Sequence, residues 1–130
     1  MEILSSRLLL RPRDPVRTLD FYRRILGLSV YREFGEGPGR GVVFFLGGGF
    51  LEVSGSSEEA GTGATRIWLQ VRDLEATWQT LTGHGVPIDE GPVEKPWGLH
   101  EMHVRDPDDR ILVFVEVPPD HPLRRDPRSF

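Results

Sequence analysis

The feature that most constrains this chain is an internal repeat. Arg13-Asp14 leads into a helix-patterned stretch, 15–26, that closes on Gly27-Leu28 and runs into a β-rich segment, 29–34. In the second half Arg72-Asp73 leads into another such stretch, 74–84, which closes on Gly85-Val86. An apolar strand precedes each copy, Leu8-Leu9-Leu10 in one and Ile67-Trp68-Leu69-Gln70-Val71 in the other. Short strands follow each and end in a strong one, 50–54 and 111–117. Two copies are too few for a solenoid, so the repeat predicts a duplicated βαβββ unit and an α+β fold.

Local signals place the boundaries. Asp14 and Asp73 stand where helix N-caps belong, and Pro15 takes the first helical position, where a missing N–H costs nothing. Leu19, Tyr22 and Leu26 recur at i, i+3 and i+7, which predicts the buried face of the first helix. Leu74, Trp78 and Leu81 do the same for the second, which puts Trp78 in the core. Gly27 reads as a left-handed C-cap, and His84 sits in the last helical turn, where a cation suits the dipole. The glycine-rich loop 35–41 lies between strands and has Val42 where a third motif glycine would fall, so it does not read as a phosphate cradle. Strands 42–46 and 50–54 form a hairpin around Gly47-Gly48-Gly49. A Pro/Gly loop carrying Pro96-Trp97-Gly98 follows Val86-Pro87-Ile88, then strand 99–105, the turn Asp106-Pro107-Asp108-Asp109 and the last strand. The expected organisation is one domain, 1–117, with module one at 1–55, a linker at 56–63 and module two at 64–117. The Pro-rich tail, 118–130, is expected to be neither strand nor helix and to pack against the body or a partner.

Composition excludes several classes. A chain of 130 residues suffices for one self-supporting domain. The absence of cysteine removes disulfides, thiolate zinc sites and a cysteine nucleophile together. No apolar run approaches the ~20 residues of a membrane span, and the first residues lack the basic start of a signal peptide. The expectation is a cytoplasmic protein that uses no membrane. A net charge of −4 argues against nucleic acid as a partner.

Two stretches resemble a known family. Leu19-Asp20-Phe21-Tyr22-Arg23-Arg24-Ile25-Leu26-Gly27-Leu28 is similar to the "FY…LGL" signature of the vicinal oxygen chelate (VOC) superfamily, the glyoxalase/bleomycin-resistance protein/extradiol dioxygenase group. Pro96-Trp97-Gly98-Leu99-His100-Glu101 and Asp106-Pro107-Asp108 resemble its second-half "WG-x-x-E…DPDG" stretch. With the repeat, the resemblance covers 3–117, and it looks most like the bleomycin-resistance members. It implies eight mixed strands curled into a cup with the helices outside, and a homodimer. It also implies four inward ligand positions in metal-using members, which fall here on Arg7, Glu52, Arg66 and Val113. Only Glu52 suits a metal. Arginine offers donors and no acceptor. At ~5 Å and an effective dielectric of ~20, each guanidinium would repel a divalent cation by roughly 6–7 kcal/mol. No metal and no other cofactor is expected.

Strand alternation then sets Arg7, Leu9, Phe50, Glu52, Arg66, Trp68 and Gln70 on the cup face, with Ile111, Val113 and Val115 on the opposite wall. Leu8, Leu10, Ile67, Leu69, Val71, Leu112 and Phe114 are expected behind it, against the helices. On one reading Arg7 and Arg66 grip an anionic or carbonyl-bearing ligand while Trp68 stacks on its ring. On the other, Arg7–Glu52–Arg66 is a structural ion network. Trp97 is a candidate contact at the rim. His100 and His103 face opposite sides of one strand and cannot chelate an ion together. They and Glu52 are the candidates for a catalytic role. The aspartates at 106, 108 and 109 fit a turn rather than a calcium loop, and Lys95 is the one lysine. Two functions follow: a non-catalytic binder of a small flat molecule, or a VOC enzyme of lyase, isomerase or dioxygenase type, with or without metal. Loss of three ligands from four favours the binder.

Overall fold

The structure, a computed structural model, describes residues 1–124. The chain divides into two compact units: Met1–Gly61 with the turn Asp106–Asp109, and Thr62–Arg105 with the chain from Arg110 onward. The first unit contains β1 (Arg7–Leu10), α1 (Pro15–Asp20), β2 (Val30–Phe34), β3 (Gly41–Leu46) and β4 (Gly49–Ser54). The second contains β5 (Arg66–Gln70), α2 (Leu74–Gly83), β6 (Ile88–Glu94), β7 (His100–Arg105) and β8 (Ile111–Glu116). The sheets have orders β1-β4-β3-β2 and β5-β8-β7-β6. In each, the first strand runs parallel to the last and the other pairs are antiparallel. The fold is thus α+β, with the βαβββ unit built twice.

Both helices start where the sequence says. Asp14 Oδ1 accepts from Arg17 N–H at 3.1 Å, and Asp73 Oδ1 from Ala76 N–H at 3.0 Å. The first helix does not run α-helically over 15–26 as expected. It becomes a π-helical turn at Phe21–Ile25, in which Leu26 N–H reaches back to Phe21 O at 2.9 Å. The wider turn brings successive side chains closer in angle, so Phe21 and Tyr22 both point inward, edge to face at 5.1 Å. The buried face is therefore Thr18, Phe21 and Tyr22, with Leu19 and Leu26 half-buried. Tyr22 Oη donates to Asp106 Oδ2 at 2.5 Å, and Arg13 Nε to Asp108 Oδ1 at 2.5 Å. These bonds join the turn Asp106–Asp109 to the first unit. Asp106 Oδ1 also accepts from Asp108 N–H at 2.8 Å, the self-bonding expected of a turn.

The buried faces carry Val42, Phe44, Leu51 and Val53 in the first sheet and Met102, Val104, Leu112 and Phe114 in the second. Leu10, Leu112 and Phe114 are buried as expected, while Ile67, Leu69 and Val71 are only half-buried. Leu8 is 43% exposed, because β1 is an edge strand and α1 packs on β4. In α2, Leu74 and Leu81 are buried, whereas Trp78, expected in the core, is half-buried.

The largest departure is β6, which occupies part of the expected Pro/Gly loop. Its register slips between Ile88 and Glu90 and again between Glu90 and Val93, around a cis Gly91-Pro92 bond. An edge strand tolerates a residue without an N–H, and a bulge tolerates the positive φ of Gly91. A Cβ on Gly91 would lie 2.4 Å from Glu101 O, so the close pairing of β6 with β7 requires glycine there. In the tail, a 3-10 turn at Pro122–Arg124 corrects the expectation of no helix, and His121 Nε2 donates to Trp97 O at 3.2 Å. The rest of the tail, 125–130, lies outside the described residues. Among the described residues no helix is long and apolar enough to cross a membrane.

Candidate functional site

Each sheet has a second face, which collects polar and aromatic side chains. In the first unit that face carries Arg7 and Leu9 from β1, Phe50, Glu52 and Ser54 from β4, and Val43 and Phe45 from β3, by the register of the pairs. Glu52 is its electrostatic centre. Arg7 Nη1 donates to Oε1 at 2.9 Å, Ser54 Oγ donates to Oε2 at 2.6 Å, and Arg11 Nη1 lies 3.6 Å from Oε2. Arg11 also hydrogen-bonds the Ser54 hydroxyl and, at 3.3 Å, its carbonyl. The Ser54 hydroxyl, then Arg7 and Arg11, hold the Glu52 carboxyl below the usual carboxylate range, against the opposing effect of burial.

Beside this network lies an aromatic cluster. Tyr31 sits 5.2 Å from Phe45 and 4.9 Å from Phe50, and Phe45 lies 5.7 Å from Phe50, ring centre to ring centre. Tyr31 and Phe45 are about half exposed. Tyr31 is the extra residue of an irregularity between Val30 and Arg32, which sets its ring against the β3–β4 hairpin.

The corresponding face of the second unit is built differently. Arg66 and Trp68 come from β5, Val113 from β8, Glu101 and His103 from β7, and Glu90 from β6, where it pairs with His103. Trp68, Val113 and His103 form one cross-strand row. Trp68 is 48% exposed, whereas Val113, its partner on β8, is buried. Arg66 Nη1 lies 3.3 Å from His103 Nδ1, and its Nε donates to Gly63 O at 3.5 Å. A guanidinium only donates, so a hydrogen bond at this contact needs Nδ1 as its acceptor, with a ring proton on Nε2, 3.4 Å from Glu101 Oε1. The other oxygen of Glu101 accepts from Trp97 Nε1 at 2.6 Å. Glu90 Oε2 lies 3.8 Å from His103 Nδ1, and Glu90 Oε1 takes a hydrogen bond from Lys95. Lys95 first, then His103 and Arg66, hold the Glu90 carboxyl below its usual range.

The structure thus brings Arg7, Phe50 and Glu52 together in one unit, and Arg66, Trp68, Val113 and His103 in the other, with Trp97 tied in through Glu101. The second arginine on Glu52 is Arg11. His100 pairs with Glu94 and Glu116 and faces away from His103, so it takes no part in either cluster. Sequence reasoning missed Arg11, Ser54, Tyr31, Phe45, Glu90 and Glu101. Ser54 follows Glu52 at strand alternation, and Glu101 stands inside the Trp97-Gly98 motif, so both were within reach. Glu90 lay in a stretch read as loop, and Tyr31 was hidden by an irregularity that alternation cannot show.

The positions where metal-using VOC proteins carry ligands do not fit an ion. Glu52 already has both oxygens occupied by a hydroxyl and a guanidinium, Arg7 and Arg66 have no lone pair to give, and Val113 is apolar. Among the described residues no group of three or more His, Asp or Glu is placed to hold a metal.

A family model described as the Glyoxalase/Bleomycin resistance protein/Dioxygenase superfamily matches residues 5–114. No curated protein matches the chain by sequence. Solved structures share the fold. One is TnmS3, an antibiotic binding protein from Streptomyces sp. CB03234, with a TM-score of 0.74 and 21% identity over 90% of this chain and 98% of that one. A member of the same superfamily from Sphaerobacter thermophilus DSM 20745 has a TM-score of 0.70 and 26% identity over 88% of this chain and 98% of its own. A lactoylglutathione lyase from Agrobacterium tumefaciens has a TM-score of 0.66 and 17% identity, covering 85% of this chain and 90% of that one.

Proposed function

The chain belongs to the glyoxalase/bleomycin resistance protein/dioxygenase superfamily, and from that premise we propose that it binds a small, flat, aromatic or carbonyl-bearing molecule without the metal that other members use. One observation carries the reading. Arg66 lies beside the half-exposed indole of Trp68, and among the described residues no carboxylate sits within ion-pair distance of it. A planar guanidinium grips a carboxylate or carbonyl edge with parallel hydrogen bonds while an indole takes the ring, which stacking favours by about 0.5–1.5 kcal/mol beyond area. Val113 supplies the apolar floor and Trp97 the rim. Arg7, with Glu52 across from it, is already paired, so Phe50 with Tyr31 and Phe45 offers apolar contact rather than a second anion grip. The antibiotic-binding protein among the structural neighbours supports a binder. The binder acts in the cytoplasm as a homodimer, its partners being a small molecule and a second copy of itself.

A second reading, a metal-independent enzyme, is favoured by one contact. Glu101 orients His103 as a carboxylate orients a catalytic base. Tryptophan fluorescence titration with aromatic acids and matched amines tests the first reading. Arg66→Ala weakens the acids and spares the amines. Tighter binding of the amines to the unmodified protein overturns it, and turnover of an acid by the native protein but not by His103→Gln favours the enzyme.

A further inference from the structure

His103 is set between a guanidinium and two carboxylates, and its place has a consequence for the ligand. We infer that Arg66 and His103 form a proton-linked anion site, in which a ligand carboxylate replaces the bond between them and His103 takes up a proton as the ligand arrives. The inference rests on the binding reading above and narrows its ligand to an anion.

The geometry requires the linkage. Arg66 Nη1 lies 3.3 Å from His103 Nδ1, and a hydrogen bond between them needs an unprotonated Nδ1 as acceptor. A proton on Nδ1 removes the acceptor and sets two cations against each other. A carboxylate entering between them reverses the sign of that contact, since each oxygen then meets a charged donor. Proton and anion therefore favour each other's binding, and reciprocally.

The surrounding groups support a charged imidazole once the anion is in place. Glu101 Oε1 lies 3.4 Å from Nε2, and Glu90 Oε2 lies 3.8 Å from Nδ1. Lys95, a cation of the same cluster, is engaged by Glu90. Arg105, two residues along β7, is engaged by Asp89 at 2.7 Å. On β8 the same face presents Ile111, Val113 and Val115, which carry no charge. Glu101 is buried and also holds the Trp97 indole, so it stays in place to receive the imidazolium.

The probe is 2-naphthoate, a flat aromatic carboxylate, with neutral 2-naphthamide as control, titrated by tryptophan fluorescence from about pH 5 to 8, where histidine changes charge. The expected result is naphthoate affinity that rises as pH falls, by up to about tenfold per pH unit for one linked proton, with naphthamide unaffected. His103→Gln keeps an acceptor for Arg66 and cannot be protonated. It should bind naphthoate with a Kd that does not change with pH, roughly tenfold weaker than the native protein at the acid end. Calorimetry in two buffers of different ionisation enthalpy should show proton uptake in the native protein and none in the variant, and an unchanged melting temperature would show that the variant is folded. Native affinity independent of pH, or a pH dependence that survives in a folded His103→Gln, overturns the inference and leaves the binding reading standing. Naphthoate that fails to bind at any pH, while naphthamide binds, overturns the anion site alone. Failure of both compounds removes the binding reading and the inference with it.

Discussion

The two units of this chain repeat one backbone, and the comparison between their polar faces shows how a single substitution redirects a site. By register, Arg7 answers to Arg66, Leu9 to Trp68, Phe50 to Ile111 and Glu52 to Val113. In the first unit a carboxylate stands two residues along the neighbouring strand, and Arg7 is drawn onto it at 2.9 Å. In the second unit valine holds that place, and Arg66 turns to a histidine instead. The acidic and basic chemistry of the second unit has moved one strand over, to Glu101 and His103 on β7, where the first unit has Gly41 and Val43. Duplicated backbones keep their buried faces alike, because packing demands it, and diverge on the other face, where function is chosen.

The largest test of this comparison concerns the part that should not differ. Leu51 and Leu112 occupy equivalent positions, both fully buried. Leu51→Ala and Leu112→Ala should each destabilise the protein by about 2–5 kcal/mol, from lost transfer energy and the cavity left behind. Thermal or chemical denaturation measures both. A cost below about 1 kcal/mol for either would mean that its site collapses freely and that the two buried faces are not equivalent.

The reciprocal exchange of the deciding residue comes next. Glu52→Val makes the first unit resemble the second, and leaves Arg7, Arg11 and Ser54 without their shared acceptor. It should cost about 1–3 kcal/mol of stability. Val113→Glu makes the second unit resemble the first and gives Arg66 a carboxylate of its own. Binding of aromatic acids should fall at least about tenfold, because the grip is then satisfied internally. If acids bind the Val113→Glu protein as before, Arg66 is not the contact that recognises them.

Acid should also weaken the first unit through Glu52. The Ser54 hydroxyl and the two arginines hold the Glu52 carboxyl below its usual range, so the folded state binds that proton less tightly than the unfolded chain. The stabilisation is complete above the ordinary carboxylate range and is lost as pH falls through the lowered folded-state value. Melting temperatures taken from about pH 6 down to 3 should fall for the native protein, and fall less steeply for Glu52→Gln. Equal slopes would show that other carboxylates carry the acid sensitivity.

Much of this architecture was legible in the sequence, for physical reasons. The two N-cap aspartates, the hairpin glycines and the alternation along β4 and β8 are local signals, each with a local cause. The π turn at Phe21–Ile25 was not legible as a turn, and the bond from Tyr22 to Asp106 that accompanies it joins residues far apart in the chain. β6 was missed because Gly91 and Pro92 read as loop when their tolerance depends on lying at a sheet edge. At the site, Arg7, Glu52, Arg66, Trp68 and Val113 could be placed on their strands by counting. Partner choice could not, because whether Arg66 meets a carboxylate or a histidine depends on which strand lies next but one. Alternation gives the face of a residue and not its neighbours.

The smallest expected effect separates the two helix starts. Asp14 caps α1 alone, while Pro15 removes one of the N–H groups that need a partner. The start of α2 has two carboxylates, Asp73 on Ala76 N–H at 3.0 Å and Glu116 on Leu74 N–H at 2.8 Å. Removing a single N-cap ordinarily costs about 0.5–2 kcal/mol. Asp14→Ala should therefore cost about 1 kcal/mol, and Asp73→Ala less, because Glu116 still satisfies one donor and keeps a negative charge at the positive end of the helix. Asp73→Ala in a Glu116→Gln background tests the reason. Glutamine keeps an acceptor and loses the charge, so the cost of Asp73→Ala should rise toward that of Asp14→Ala if charge is what Glu116 supplies. If the cost stays the same in both backgrounds, the neutral acceptor alone does the work. If Asp73→Ala is already the more costly of the two single variants, Glu116 gives α2 no second cap at all.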